Sequence, residues 1–297
     1  MKRTKLILTI LFCSQIVFSQ TVNQTVTDEN GNQKLLGKID KNGLRQVPFN
    51  EWFDPNYDQY LLNKKVVSKL KDSLNQYTIK IFLGTWCGDS KKEVPRFYSI
   101  LNEAKFPEHQ LEVIAVDRTP EAYKQAPNHE EKGLNIHRVP TFIFYKNGQE
   151  VNRIVEHPVE TLERDMLNIV TDNKYRPKYV AANYVGALLT SKSIDSLKLE
   201  ENTLVPRLAE FVKGSRELNT LGYVYLRAQE YDKALYVFDL NTRIFPYKYN
   251  VYDSLGEAFF ETKNYDNALK NYYKVLSLKP DDDNALEMIE KIKSKIE

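Results

Sequence analysis

The chain has 297 residues, with 42 Lys+Arg against 40 Asp+Glu and two cysteines. That length accommodates two or three domains. The near balance of charge provides no long-range field to gather nucleic acid or an anionic membrane, and two cysteines exclude a disulfide scaffold. Lys2, Arg3 and Lys5 precede an apolar stretch from Leu6 to Phe12, and Val17-Phe18-Ser19 offers a cleavage site before Gln20. This is the pattern of a secretory signal peptide, and it predicts that residues 1–19 are removed and the protein exported to the periplasm or the extracellular space. The apolar run is too short to span a bilayer, so no integral membrane segment is expected after cleavage. Cys13 would suit a lipoprotein signal, but bulky Phe12 stands where such a signal needs a small residue. Cleavage leaves 39 basic against 40 acidic side chains and makes Cys87 the only thiol, with no internal partner to tie it up.

Residues 20–50 are polar, and Asn30-Gly31 and Asn42-Gly43 flank Leu35-Leu36 and Ile39. They read as a lead with one or two weak hairpins, or as a partly ordered lead. From 51 to 172 helical and strand patterns alternate. Leu62, Val66, Val67, Leu70 and Leu74 form a helical stripe within Leu61–Leu74. Thr78–Thr85 reads as a strand covered on both faces, Asp89–Ala104 as a helix and Leu111–Val116 as a second strand. Pro140–Tyr145 and Val151–Val155 form a hairpin turning at Asn147-Gly148, and Thr161–Val170 closes the unit as an amphipathic helix. This order predicts an α/β unit, a small mixed sheet with helices on both faces.

The remainder reads as all-helical. A shift of 34 residues superposes Leu221-Gly222 on Leu255-Gly256, Tyr231-Asp232 on Tyr265-Asp266, Ala234-Leu235 on Ala268-Leu269, and Pro246 on Pro280. That period, with small residues where paired helices touch and Pro at the turn between units, resembles the tetratricopeptide (TPR) repeat. The repeats fall at 218–251 and 252–285, with a capping helix at 286–297. Two repeats leave an apolar face open, so 173–217 is expected to supply a helical linker or a divergent helical pair.

The chemistry centres on Trp86-Cys87-Gly88-Asp89-Ser90, where a strand runs into a helix. A cysteine at the first turn of a helix meets unpaired N–H groups and the positive dipole end, which favour thiolate over thiol. Asp89 opposes this by like charge, while Lys91 and Lys92 support it. The motif resembles the W-C-G-x-C of the thioredoxin superfamily. Pro95 matches the proline that kinks that family's active-site helix, Arg138-Val139-Pro140-Thr141-Phe142 resembles its cis-proline loop, and Phe144-Tyr145-Lys146-Asn147-Gly148 resembles its closing hairpin. The resemblance covers residues 60–172 and implies a thioredoxin-like fold with Cys87 as the nucleophile. It also implies that Pro140 is cis, that the backbone of Val139 contacts a bound peptide, and that Arg138 and Thr141 flank it in the substrate loop. Two positions depart from the family. Its second cysteine is Ser90 here, so a dithiol–disulfide cycle cannot run within one chain. The acidic residue that many relatives bury six positions before the first cysteine is Ile81 here. Two readings of Ser90 stand, a hydrogen-bond partner of the thiolate or a neutral replacement for the lost thiol.

His109, His129, His137 and His157 are scattered in loop-like stretches and make no metal set, which predicts solvated histidines and no bound metal. Cys-Gly-x-Ser also occurs in monothiol glutaredoxins that share an iron–sulfur cluster through glutathione, but the Gly-Gly element after their cis-proline strand is absent, so no cofactor is expected. No phosphate loop or nucleotide fingerprint is present, and no nucleic-acid partner is expected. Two functions remain. One is an exported monothiol thiol–disulfide oxidoreductase or isomerase acting on disulfide- or thiol-containing proteins, with the repeats docking a peptide or protein ligand. The other is a redox-inactive binding module or adaptor on the same two surfaces.

Overall fold

The computed structural model describes residues 22–296. The signal-peptide reading, with Cys13 and Gln20, lies outside the described residues. The first part of the chain comprises β1 (Gln24–Thr27), β2 (Gln33–Ile39), α1 (Lys41–Leu44), α2 (Asn50–Asp58), α3 (Lys64–Leu74), β3 (Thr78–Leu83), α4 (Gly88–Glu103), β4 (Leu111–Ala115), β5 (Thr141–Lys146), β6 (Gln149–Val155) and α5 (Leu162–Val170). The strands form one sheet in the order β1-β2-β4-β3-β5-β6. Only β3 and β4 run parallel; the other neighbours are antiparallel.

Strand alternation sends the side chains of β3 to two cores. Ile79, Ile81 and Leu83 face a core built with Leu70, Val94, Phe97 and Met166 from α3, α4 and α5. Phe82 points the other way, onto Ile114, Ile136, Val139 and Ile143. This second core is roofed by the long segment between β4 and β5. Within the first core Phe97 and Phe142 stack at 4.4 Å between ring centroids.

The region 20–50 differs from its sequence reading in two ways. The Asn30-Gly31 turn does close a hairpin, because the Asp28 carboxylate accepts N–H bonds from Asn30 at 3.0 Å and Asn32 at 2.9 Å. Asn42-Gly43 makes no turn: Asp40 accepts the Gly43 N–H at 2.9 Å and caps α1, so the backbone enters a helix. Nor is the region a lead. β2 pairs with β4, Gly37 opposite Ala115, so the sheet begins well before residue 51. α3 starts at Lys64 rather than Leu61, because Asn63 caps it through the Val66 N–H while Leu61 stays exposed.

One ion pair lies almost out of water. Lys34 on β2 meets Asp117 just past β4, and their side chains are 9 % and 13 % exposed. Burial pushes the Asp117 carboxyl up, but the Lys34 ammonium and the Thr119 and Arg118 N–H groups outweigh it and hold it below its ordinary range. A carboxylate lowered on folding stabilises the protein above its unfolded pKa, and that contribution is lost as pH falls through the lower folded value. Lys34→Met leaves the Asp117 charge buried without its cation. We expect a loss of about 3–5 kcal/mol at pH 7 and an acid-unfolding midpoint moved to higher pH, both read by denaturant melts across pH.

The rest of the described chain is helical: α6 (Val180–Ser191), α7 (Ile194–Leu199), α8 (Glu201–Phe211), α9 (Arg216–Arg227), α10 (Tyr231–Ile244), α11 (Tyr249–Glu261), α12 (Tyr265–Leu278) and α13 (Asp283–Ile296). The segment 173–217 therefore holds three helices before α9 rather than a pair, because Ser193 caps a short extra helix through the Ser196 N–H. Leu197, Leu204 and Leu208 share one core with Leu218, Leu221 and Phe238. The 34-residue period has a packing cause. A Cβ on Gly222 would sit 2.4 Å from the Phe238 ring, and one on Gly256 would sit 3.1 Å from the Tyr272 ring. Each glycine lets an aromatic of the next helix close against its backbone. No described helix is long and apolar enough to cross a membrane.

Candidate active site

β3 ends at Leu83, and Gly84-Thr85-Trp86 carry the chain into α4 with Cys87 as its N-cap. The turn is fixed by the Cys87 N–H donating to the Gly84 carbonyl at 2.8 Å. The Trp86 ring folds back over Gly84, where an added Cβ would lie 2.4 Å from it, and the indole N–H donates to the Val116 carbonyl at 2.9 Å. Trp86 is thereby locked as the wall beside the sulfur. Gly88 is exposed and opens α4, with no atom within 4 Å of the place a Cβ would take, and Asp89 is half-buried in the first turn.

Across the turn the Val139–Pro140 peptide is cis. The half-buried Cys87 thiol donates to the Val139 carbonyl at 3.2 Å, and Thr141 Oγ1 donates to the Arg138 carbonyl at 2.7 Å. Val139 itself is buried. The structure thus gathers Trp86, Cys87, Val139 and Pro140 at one point, with Gly88 and Asp89 on the solvent side. Ser90 is fully buried, and its hydroxyl accepts the Gly84 N–H at 3.2 Å. Ile81 is fully buried between Val113 and Phe142, with no acid in its place. Pro95 lies inside α4.

Several contacts around the cis-proline turn and the β4–β5 segment reach far along the sequence. Arg138 donates through Nη1 to Glu156 at 3.1 Å and through Nη2 to Thr220 on α9 at 3.1 Å. Its guanidinium stands 4.8 Å from the Tyr179 ring centroid, and the Tyr179 hydroxyl donates to the other oxygen of Glu156. Gln125 Nε2 donates to the Arg227 carbonyl at 3.0 Å, so α9 is tied to the sheet unit at two places along its length. Arg138 is therefore a clasp between the cis-proline turn and the helical region. Lys124 is only 4 % exposed, and its Nζ lies 3.6 Å from the Tyr123 ring centroid. Burial and the Arg138 cation bring its ammonium down to about 7, against the opposing pull of Cys87 and Glu156.

The histidines correct their sequence reading at one position. His137 is buried, not solvated, because Tyr179 stacks edge-on against it at 5.9 Å. Burial holds its imidazole down, to about 3, and Nδ1 faces the Asn135 carbonyl at 3.2 Å. Among the described residues no cluster of three His, Cys, Asp or Glu has the placement to hold a metal ion.

A mixed sheet whose first parallel strand delivers a cysteine to a helix start, opposite a cis-proline turn, defines a class of fold and site. The comparisons agree with that class. Residues 59–168 match the thioredoxin family model, and this part of the chain is a thioredoxin domain. The chain is 32 % identical over 71 residues to Thioredoxin Asp f 29 of Aspergillus fumigatus, covering 24 % of this chain and 57 % of that protein. It is 26 % identical over 97 residues to Thioredoxin H2 of Arabidopsis thaliana, covering 33 % of this chain and 65 % of that protein. The matches therefore span less than two thirds of either relative. No solved structure matches the chain.

Proposed function

We propose that this protein carries out thiol–disulfide exchange through Cys87 alone, as a monothiol oxidoreductase or isomerase acting on other proteins. The observation that carries the reading is the half-buried sulfur at the start of α4, 3.2 Å from the carbonyl beside a cis-proline. In the attack step the Cys87 thiolate bonds to one sulfur of a partner disulfide, and the other partner sulfur leaves as thiolate. Release needs a thiol from outside, because the hydroxyl at Ser90 cannot take a sulfur–sulfur bond. The described residues contain no second cysteine. We read the helical region as TPR repeats that dock the partner, on the strength of the 34-residue period and the Gly222–Phe238 and Gly256–Tyr272 contacts. The amino-terminal signal pattern supports action after export, in the periplasm or outside the cell. No cofactor enters the scheme.

A second reading, a redox-inactive thioredoxin-fold adaptor, is favoured by Ser90, whose hydroxyl serves the backbone at Gly84. Turnover kinetics separate the two. With a disulfide-bonded substrate and no added thiol, exchange predicts consumption of one equivalent followed by arrest, and resumption when a monothiol is added. No consumption in either condition would favour the adaptor.

A further inference from the structure

Between α7, the short helix added to the expected pair, and α10 lies a cleft of about 660 Å³, with Phe259 of α11 completing its lining. Two kinds of side chain share it. Ile194, Leu235 and Phe259 are apolar and half-buried, and each packs against the core of the helical region. Asp195 on α7 and Asp232 and Asp239 on α10 are carboxylates, against a single lining cation, the exposed Lys198. Arg243 engages Asp239 at 2.9 Å. Asp195 and Asp232 make no hydrogen bond or ion pair with any described residue and remain open to a ligand. The telling atom is the Tyr236 hydroxyl. Tyr236 is 4 % exposed and lines the same cleft, and its hydroxyl is buried with no hydrogen-bond partner among the described residues. Such a hydroxyl gives up its water on folding, and leaving it unpaired costs free energy that a phenylalanine would not. Burial and the Glu201 carboxylate push its pKa up to about 12, so it stays a neutral group able to donate and accept. Asp232, Tyr236 and Asp239 follow at spacings of four and three residues, which puts them on one face of α10.

We propose that this cleft docks a basic side chain, arginine or lysine, that a partner protein presents beside an apolar residue. This rests on the docking role read for the helical region above, and not on the chemistry of Cys87. The lining selects that occupant. An arginine or lysine is a hydrocarbon stem with a charged head. The stem lies on Ile194, Leu235 and Phe259, and the head meets Asp195 and Asp232. One of its N–H groups gives Tyr236 the donor that the folded chain does not supply. An acidic or wholly apolar segment would leave both carboxylates and the hydroxyl unmet. A bare metal ion is a poorer match, since among the described residues no three His, Cys, Asp or Glu side chains are placed to hold one.

Fluorescence anisotropy on the full-length protein tests the assignment with a dye-labelled, amidated Gly-Leu-Arg-Leu-Gly peptide. Its citrulline twin, equal in shape and uncharged, is the control. The arginine peptide should bind on the order of tenfold more tightly than the citrulline one, and its affinity should fall as salt rises. Asp195→Asn combined with Asp232→Asn should weaken it about tenfold, and Tyr236→Phe about fivefold. Tyr236→Phe should melt no lower than wild type, because it removes an unpaired hydroxyl, so its weaker binding cannot be put down to unfolding. Both variants should react with a small aromatic disulfide at the wild-type rate, and the peptide carries no cysteine. A failure of this assignment therefore leaves the exchange reading standing, and the reverse holds too. Equal affinity for the two peptides, or binding that neither variant alters, would overturn it. Uptake of spermidine without the peptide would give the cleft to a free polyamine, and a wild-type dimer broken by the same substitutions would give it to a second copy. Either result overturns the proposal.

Discussion

Ser90→Cys should turn a reaction that stops after one equivalent into sustained turnover with a dithiol reductant, on the order of a hundredfold faster than wild type at micromolar reductant. The size follows from replacing an external thiol by one tethered three residues along the same helix, where the effective concentration reaches the millimolar range or above. Ser90 sits on the first turn of α4 with Cys87 as its N-cap, and three residues along a helix bring two side chains to one face. Its side chain is fully buried, so the introduced thiol would be shielded from competing oxidants. The substitution has a structural cost. Ser90 Oγ accepts the Gly84 N–H at 3.2 Å, and sulfur is a weaker acceptor, so about 1 kcal/mol of stability is lost. Ile81 sets the ceiling on turnover, since no buried acid stands there to take the proton of the second thiol. Steady-state assays with the reductant varied give the comparison. Turnover equal to wild type would mean that the two positions do not communicate as the helix start implies.

Arg138→Leu carries the second large effect. One guanidinium holds Glu156, Thr220 and the Tyr179 ring, and so joins the cis-proline turn to α9 and to the start of α6. The pair it forms with Glu156 is mostly buried, with side chains 22 % and 14 % exposed. Removing the cation leaves a carboxylate with the Tyr179 hydroxyl and the His157 imidazole, whose Nδ1 lies 3.6 Å away, at a cost of about 2–4 kcal/mol. The loss falls at the seam between the sheet unit and the helical region rather than in either core. We therefore expect unfolding to separate into two transitions, and faster limited proteolysis between α5 and α6. Thr220→Val removes one neutral acceptor and should cost no more than about 1 kcal/mol, with a single transition retained. A single cooperative transition in Arg138→Leu would show that other contacts, such as Gln125 with the Arg227 carbonyl, suffice to hold the seam.

The parts of this protein that can be read from its sequence are those whose cause is local. An apolar run feeding Trp86-Cys87-Gly88 marks a buried strand delivering its last residues to a helix cap, and one strand and one helix are enough to place that cysteine. The 34-residue period is legible because Gly222 and Gly256 answer to aromatics in the adjacent helix of the same pair. α2 is not legible, since its sequence is polar and a single fully buried residue, Phe53, anchors it. Asn42-Gly43 carries a turn signal that the Asp40 cap overrides. The segment between β4 and β5 has no periodicity, and it holds both Lys124 and the buried His137. Arg138 finds Thr220 across 82 residues of sequence, a distance no motif spans. The clasp of Arg138 and the burial of Lys124 and His137 are therefore a property of the tertiary structure, whereas Trp86, Cys87, Val139 and Pro140 stand in motifs of the local sequence.

The central claim is that Cys87 in the folded protein attacks disulfides. Intact-mass analysis of the native protein after brief exposure to a disulfide-bonded peptide tests it most directly. The account predicts one adduct carrying half of the peptide, mapped to Cys87, lost on adding a monothiol, and absent from Cys87→Ser protein that melts at the wild-type temperature. A native protein that stays unmodified and is labelled only after denaturation would contradict it.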